Sequence, residues 1–431
     1  MNTAAPVQMP VPARGWRRVL AEPMFGTAAN LMTNTVLTNG LGVLFWIAAA
    51  RLYDPSAVGQ GSALVSLMIA LSSIGQLDLQ NIGLRFLPAV ERRAKVVATA
   101  YAVAVVFSGL IALVVLLGAS HLSTSLRFLS QDRTLGLALV GAAALWSIFS
   151  IQDSVLTALG KARWVPIENA AFGVLKLGLL ALFAGLGLRQ GIFFAFAVPM
   201  ALLLIPVNAL LFGSAIPAAP RPTRAAVQAA TFRRRRLLSF LAQDYAGSML
   251  VQAGLTVVPL MVIAILGSRS NAFFYLPLLI VSAFDALFMN ACASLVVAGS
   301  ADVARQRELA RLMARRALVL LIPGSLLLVL LAPYLLLVFG HDYAAHATTL
   351  MRLLALASIP KAAAALYAAL ARFTGDGRAI LSRQLVSVGT LIIGTALLAS
   401  PLGLTGVGLA WLGASLLVFA TVARPLARIL R

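Results

Sequence analysis

Three charged side chains interrupt long apolar stretches of this sequence: Lys176, Asp285 and Lys361. A charge at the centre of a membrane-spanning helix costs about 2.5–3.5 kcal/mol on insertion scales, so it normally faces a water-filled cavity or an opposite charge. Two ammonium groups in such a cavity could bind an anion, and the carboxylate could bind a proton or Na⁺. The alternative is a salt bridge between Asp285 and one of the lysines. One acid does not neutralise both lysines, so some positive potential remains in either case.

Polar side chains recur at helical spacing near these charges. One stripe contains Thr27, Asn30, Asn34 and Thr38, and another contains Asp244, Ser248, Gln252 and Thr256. Asn169 lies seven residues before Lys176, so the two are nearly superposed on a helix. Because polar stripes fall at corresponding places in both halves of the chain, we expect them to line one central cleft. Asn34 and Asn169 are then candidate binding residues, and Asp244 joins Asp285 as a candidate ion-coupling group. Hydrogen bonding between helices is the alternative for each stripe.

The elements that must position these residues are apolar runs distributed along the whole chain. Of 431 residues, 61% are hydrophobic and 11% are charged, whereas soluble domains carry about 25% charged residues. A run that crosses lipid has to pair its own backbone groups, so the runs are predicted to be helices. The sequence predicts an all-α membrane protein with about twelve spans: 25–50, 57–78, 95–118, 134–157, 165–187, 191–213, 240–266, 272–297, 313–338, 346–371, 379–399 and 404–424.

A segment rich in proline and arginine divides these spans into two groups of six. Residues 214–239 contain three prolines and the run Arg233–Arg236, a composition typical of a surface linker. We therefore predict a tail at 1–24, a six-helix bundle at 25–213, a linker at 214–239 and a second bundle at 240–431. Six is an even number, so both bundles start on the same side of the membrane. Parallel repeats of this kind place the substrate site near the midplane, between the halves.

The formal net charge of +21 is explained by membrane topology rather than by nucleic-acid binding. Most Lys and Arg residues lie in loops that fall on one side of the predicted membrane, and no basic domain forms a nucleic-acid footprint. Basic loops stay in the cytoplasm. The prediction is a multi-pass protein with both termini in the cytoplasm and its basic loops against membrane lipids.

The sequence lacks the patterns that typify an ATPase, a metalloenzyme or a disulfide-stabilised protein. Gly160-Lys161 is not preceded by the first glycine of a Walker A motif, since position 155 is valine. The three histidines fall in predicted loops, without an HExxH pattern, and Cys292 is the only cysteine. These observations favour a transporter over an enzyme, with no cofactor and no metal site.

Five short motifs, in this order and spacing, resemble those of one transporter family. They are ARLYDPSAVG at 50–59, GLRFLP at 83–88, LGKARW at 159–164, FGHDY at 339–343 and GLTGVGLAW at 403–411. Over about 25–425 the chain is similar to the bacterial polysaccharide or oligosaccharide flippases of the multidrug/oligosaccharidyl-lipid/polysaccharide exporter (MOP) superfamily. The resemblance implies a fold like that of the multidrug and toxic compound extrusion (MATE) transporters, in which two six-helix bundles surround a central cavity.

The resemblance also implies a substrate and a cellular setting. Members of the family flip or export undecaprenyl-pyrophosphate-linked glycans across the bacterial inner membrane, for cell-surface polysaccharide biosynthesis. A polysaccharide polymerase and glycosyltransferases are then possible partners. An anionic pyrophosphate suits Lys176 and Lys361, because attraction between charges is strong in a low-dielectric cleft. Arg85, in the second motif, is a further candidate ligand at the cytoplasmic mouth.

Two other functions fit the same sequence. A proton- or sodium-coupled multidrug exporter of this fold would use buried carboxylates, for which Asp244 and Asp285 are candidates, although the two lysines argue against a cationic substrate. A non-transporting scaffold of a polysaccharide assembly complex would need none of these residues to bind a ligand.

Overall fold

The computed structural model describes residues 23–77, 79–80, 87, 90–122, 132–220, 222, 249–250, 252, 254–300, 306–374 and 377–430. Within 23–36, 119–122, 287–300, 306–320, 369–380 and 428–430 the description is limited to the backbone. These ranges are almost entirely helical and contain no strand. The all-α prediction is therefore confirmed.

Twelve helices can be followed through the described ranges. They are α1 (Pro23–Leu52), α2 (Pro55–Gly75), α3 (Arg93–Leu122), α4 (Arg133–Ala158), α5 (Trp164–Gly185), α6 (Gly191–Leu210), α7 (Gly254–Leu266), α8 (Ser268–Ser300), α9 (Gln306–Leu337), α10 (His341–Thr374), α11 (377–402) and α12 (404–430). A short π-helical turn, Leu211–Ala215, extends α6.

Seven helical segments in the described chain are long and apolar enough to cross a membrane. One of them, Leu381–Ala427, has 47 residues and contains both of the last two predicted spans. Three shorter apolar segments, Leu37–Leu52, Gly254–Leu266 and Leu321–Leu337, belong to further predicted spans. The chain is therefore a multi-pass membrane protein. The predicted linker at 214–239 falls largely on residues outside the described ranges, so the domain boundaries stay a prediction.

The turn between α1 and α2 shows why the first motif contains its particular residues. Asp54 accepts hydrogen bonds from the backbone N–H groups of Ser56 (2.9 Å) and Ala57 (3.1 Å), and so caps the first turn of α2. Pro55 follows at the first helical position, where its missing N–H costs nothing. α2 thus begins at a fixed residue, and its buried face is aimed at the second half of the protein.

Helices α1 to α6 pack against one another, and α8 to α12 form a second group. The main contact between the groups is α2 against α8, with a smaller contribution from α1. The turns α1–α2, α5–α6, α7–α8, α9–α10 and α11–α12 lie at one end of the molecule, which we call the α1–α2 end. The α4–α5 turn lies at the opposite end.

Gly403 breaks the last long helix into α11 and α12. Its backbone has φ 58° and ψ −139°, a conformation that side-chain-bearing residues rarely adopt, yet there is open space where a Cβ would stand. Gly403→Ala should therefore reduce stability by about 1–3 kcal/mol through backbone strain alone. Gly413→Ala is the matched control, because Gly413 has open space but ordinary helical geometry in α12. Thermal unfolding in detergent should show a lower Tm for the first variant and an unchanged or higher Tm for the second.

Candidate functional site

Lys176 lies in a cage of three phenylalanine rings in the first half of the protein. Its ammonium nitrogen is 5.2 Å from the ring centroid of Phe45 on α1, 5.1 Å from that of Phe172 on α5 and 4.7 Å from that of Phe196 on α6. Lys176 is 5% exposed and makes no ion pair with a described residue. A desolvated ammonium over an aromatic face gains about 2 kcal/mol. The cage therefore holds the cation in place without neutralising it.

The sequence of α5 accounts for the position of Lys176. The buried residues of this helix form a single stripe, in which each has another member three or four residues away, namely Val165, Glu168, Asn169, Phe172, Gly173, Lys176 and Leu180. Gly173 lets α1 approach closely, because a Cβ there would overlap the side chain of Leu41. Lys176 is thus placed on the face of α5 that packs against α1, and it is directed away from lipid.

The cage is connected to the second half through aromatic side chains. Trp46 lies beside Phe196, with ring centroids 6.3 Å apart, and contacts Tyr275 of α8 at 4.8 Å. Trp46 is 3% exposed. A relative movement of the two halves that separates Trp46 from Tyr275 would uncover the side of the cage that faces the interface.

Lys361 and Asp285 form an ion pair in the second half. The Lys361 ammonium on α10 lies 2.5 Å from Asp285 Oδ2 on α8, and 5.9 Å from the ring of Trp411 on α12. The exposed fractions of the two side chains are 41% and 15%. Of the two readings that the sequence allowed for this lysine, the structure shows the salt bridge. The carboxylate that the sequence favours for ion coupling is thus already occupied by a cation in this conformation.

Replacing one partner of the Lys361–Asp285 pair should destabilise the protein more than replacing both. Lys361→Met or Asp285→Asn alone leaves one charge without its partner, so each should reduce the free energy of unfolding by about 1–2 kcal/mol, since the lysine is partly exposed. The double variant should recover most of that loss, because no unpaired charge remains. A double-mutant cycle on Tm measures the difference, and strictly additive losses would contradict the pairing.

Asn169 belongs to a different cluster from Lys176. Its Nδ2 donates to Asp153 Oδ2 at 3.1 Å, and Gln152 Nε2 donates to Glu168 Oε1. Asn208 of α6 donates to Gln152 Oε1 at 3.3 Å. Four side chains of the α4–α5 hairpin therefore form one buried polar cluster toward the opposite end of the molecule from the α1–α2 end.

The sequence analysis did not identify this cluster, although a signal for it exists. The pairs Gln152-Asp153 and Glu168-Asn169 lie at equal distances on either side of the turn at Gly160-Lys161. In an antiparallel helical hairpin, residues equidistant from the turn face one another. Acid–amide pairs placed symmetrically about a tight turn therefore predict a cluster across the hairpin.

The two halves are joined at the α1–α2 end by residues of the first motif. Arg51 donates from Nε to the carbonyl of Val338 and from Nη2 to that of Leu337, each at 2.9 Å, and so caps the end of α9. Asn271 of α8 donates to the carbonyl of Gly59 at 2.9 Å and to Ser62 Oγ at 3.1 Å. This end of the interface is therefore closed in the structure.

A cleft of about 450 Å³ opens at the same end of the second half. It is lined by Arg269, Ser270, Phe273, His346, Leu404 and Thr405. Arg269 pairs with Asp342 at 2.9 Å, and the ring of His346 stacks on Phe273. The charge of the arginine is thus neutralised locally.

The side chains of three predicted site residues lie outside the described part of the structure. Arg85 and Asp244 fall in undescribed ranges, and only the backbone is described for Asn34, within α1. No group of three or more His, Cys, Asp or Glu residues that could hold a metal ion occurs among the described residues.

Comparison with known proteins identifies solved structures that share this fold. No protein-family model and no curated protein matches the sequence. Among solved structures, the chain is similar to an inward-facing multidrug resistance MATE family transporter of the MOP superfamily, with TM-score 0.63 and 16% identity over 92% of this chain and 95% of that one. It is also similar to an outward-facing one, with TM-score 0.62 and 13% identity over 97% and 99% of the two chains.

A third similar structure is a MOP superfamily transporter from Pyrococcus furiosus, whose binding pocket is described as reversed in polarity, suggesting a different function. Its TM-score is 0.57 at 14% identity, covering 97% of this chain and 99% of that one. At these identities the similarity concerns the fold. The predicted fold class, a helical membrane protein with the architecture of the MATE transporters, is confirmed.

Proposed function

We propose that this chain is an alternating-access flippase that translocates a lipid-linked oligosaccharide, an undecaprenyl-pyrophosphate glycan, across the bacterial inner membrane for cell-surface polysaccharide biosynthesis. The observation that carries the proposal is Lys176, a buried cation with no ion-pair partner among the described residues. An uncompensated cation inside a transporter fold favours an anionic cargo. A cationic cargo would be repelled at the same place.

The chemistry of the cage suits a pyrophosphate headgroup. Lysine binds phosphate as a point charge, and a charge-assisted hydrogen bond is about twice as strong as a neutral one. The aromatic rings around Lys176 compete only weakly for the ammonium, so an arriving anion can recruit it. We place the headgroup at Lys176, with the lipid tail remaining in the bilayer. Lys361 becomes a second contact when Asp285 releases it, and Asn34 and Arg85 remain candidate ligands.

The cargo would cross the membrane by alternating access. The first motif closes the interface at the α1–α2 end through Arg51 and Asn271. We assign this end to the periplasm, with both termini in the cytoplasm, because basic loops concentrate on the other side. Similar folds are known in inward-facing and outward-facing conformations. Movement of α2 against α8 would break the closed contacts and expose the cage to the periplasm.

The shared fold does not by itself determine the cargo. The Pyrococcus furiosus transporter combines this architecture with a pocket of reversed polarity. Pocket polarity can therefore change while the fold is retained, as expected when function resides in a site rather than in a fold. The cargo of this chain is accordingly argued from Lys176 and not from the multidrug transporters that it resembles.

A second candidate is a cation-coupled multidrug exporter. The observation in its favour is a pair of acids in the first half, the half-buried Asp153 and the buried Glu168. These acids lie near the ends of their helices, away from Lys176, so they suit ion binding better than recognition of a drug.

A transport assay separates the candidate functions. Purified protein in liposomes is given a fluorescent undecaprenyl-pyrophosphate sugar or a fluorescent cationic drug. The fraction of the fluorescent compound that has crossed the bilayer is followed with time. We expect translocation of the lipid-linked sugar, and competition by unlabelled lipid pyrophosphate but not by the drug. Transport of the drug alone would establish the exporter, and transport of neither would favour a scaffold.

A further inference from the structure

The α4–α5 hairpin contains a buried carboxylate, Glu168, and a half-buried one, Asp153, which face each other across its two helices. Asp153 lies one turn before the end of α4, and Glu168 lies one turn after the start of α5. Glu168 is 5% exposed and its neighbour Gln152 is fully buried. The two acids therefore share one desolvated volume at the end of the bundle that carries the α4–α5 turn.

Each carboxylate is held by an amide through one oxygen only. Gln152 donates to Glu168 Oε1, and Asn169 donates to Asp153 Oδ2 at 3.1 Å. The remaining oxygens, Glu168 Oε2 and Asp153 Oδ1, are buried and have no hydrogen-bond partner in the described structure. The amides orient the acids and leave one oxygen of each available.

Helices α3 and α6 each contribute to the same region one oxygen that has no hydrogen-bond partner among the described residues. Tyr101 of α3 is 9% exposed, and its hydroxyl has no hydrogen-bond partner among the described residues. Tyr101 packs in one cluster with Val155 of α4 and Val165 of α5. Asn208 of α6 donates through Nδ2 to Gln152, while its Oδ1 is buried without a partner in the described part of the chain. Buried polar atoms are normally paired, so these four oxygens are suited to bind a ligand.

No described cation neutralises the pair. Neither acid forms an ion pair with a described residue, and the described parts of α1, α2 and α6 that pack against the hairpin carry no charged side chain apart from Arg51 at the far end. Lys176 is on α5 itself, about two helical turns beyond Glu168. On α3, Arg93 donates to the carbonyls of Leu87 and Pro220, and Lys95 is exposed. Lys161 and Arg163 lie in the turn itself. Two adjacent carboxylates cannot both remain ionised in such a site without a counter-charge.

We propose that Asp153 and Glu168, with Tyr101 and Asn208, form a binding site for a monovalent cation, either a proton or Na⁺. Carboxylate, amide and hydroxyl oxygens are the ligands of a hard cation, and a shared proton satisfies the same two carboxylates. The site is separate from the Lys361–Asp285 pair. This site would bind the coupling cation that a multidrug exporter requires, and it is compatible with a lipid-linked oligosaccharide or a drug as the cargo. A role in driving transport would rest on the proposed function, whereas cation binding does not.

The test is thermal unfolding of the full chain in detergent. Tm is measured across a pH range, and in NaCl against KCl at equal ionic strength. If the ligand is a proton, the folded protein binds a proton that the unfolded chain releases. Tm then falls as pH rises and is the same in NaCl and in KCl. If the ligand is Na⁺, Tm is higher in NaCl than in KCl. Either response should amount to a few degrees.

The double variant Asp153→Asn/Glu168→Gln removes both charges and keeps an oxygen for each amide donor. It should lose the response that the wild type shows, while Glu91→Gln, the same change at an exposed position, should keep it. Equal pH and Na⁺ responses in the wild type and the double variant would overturn the proposal. If the double variant does not fold, each single variant is used. A wild type insensitive to both pH and Na⁺ would also overturn the proposal.

Discussion

Replacing Lys176 by methionine is expected to reduce transport of the lipid-linked glycan about 10–100-fold while leaving the protein folded. A charge-assisted hydrogen bond is worth about 1.5–3 kcal/mol, and each 1.4 kcal/mol changes the rate about tenfold. Methionine has nearly the same length as the lysine stem, and its sulfur packs well against aromatic rings. The variant should therefore keep the cage of Phe45, Phe172 and Phe196 and lose only the charge.

The measurement is the initial rate of translocation of a fluorescent lipid pyrophosphate in liposomes, at matched protein content and with Tm recorded for each variant. Lys95→Met is the control, because Lys95 is exposed on α3 and its loss changes the net charge equally. A Lys176→Met protein that transports at the wild-type rate would remove the anionic-cargo argument. Equal losses in both variants would show that only the overall charge matters.

Gly59→Ala should prevent the α1–α2 end from closing. A Cβ at this position would overlap the carbonyl oxygen of Ser268 and would lie 3.1 Å from the amide nitrogen of Ala272. The same contact region contains the hydrogen bond from Asn271 to the Gly59 carbonyl. Overpacking of this kind costs about 1–3 kcal/mol. Because the cost applies only when α2 and α8 are in contact, the population ratio of closed to open protein should fall about 5–150-fold.

The prediction is measured by distances between spin labels at the α1–α2 end. Leu52→Cys and His341→Cys lie at exposed positions on the two sides of the interface, and Cys292→Ser removes the single native thiol. Gly59→Ala should shift the distribution to longer distances and slow transport. Gly141→Ala, which meets open space on α4, should match the wild type. An unshifted distance distribution in Gly59→Ala would falsify the proposal that the contact of α2 with α8 opens and closes this end of the protein.

The first motif illustrates how a sequence pattern acquires physical meaning from the structure. Within ARLYDPSAVG, Arg51 caps α9, Asp54 caps α2, and Gly59 admits the backbone of α8. The capping role of Asp54 is local and is readable from the order Asp-Pro-Ser. The roles of Arg51 and Gly59 involve partners more than 200 residues away. They could be found only once the two halves were docked.

The predicted site residues divide in the same way. That Lys176, Asp285 and Lys361 avoid lipid follows from the cost of a charge in hydrocarbon. Which lysine pairs with Asp285 depends on the rotation of α8 and α10 about their axes. Asn169 shares a face of α5 with Lys176, yet it bonds to Asp153, because the α4–α5 hairpin presents that residue at its level. Helical spacing places residues on a face, but it does not identify what that face meets.

The amino-acid sequence by itself determined that this chain is a helical membrane protein, where most of its helices begin and end, and which charged residues must avoid lipid. Those features depend on local backbone pairing and on the cost of placing a charge in lipid, which act wherever a segment lies. Only the tertiary structure decided that Lys176 is caged and has no ion-pair partner among the described residues, that Lys361 pairs with Asp285, and that two acids face each other across a hairpin. Each of these depends on distances of a few ångströms between helices, which are set by packing and leave no periodic signal in the chain.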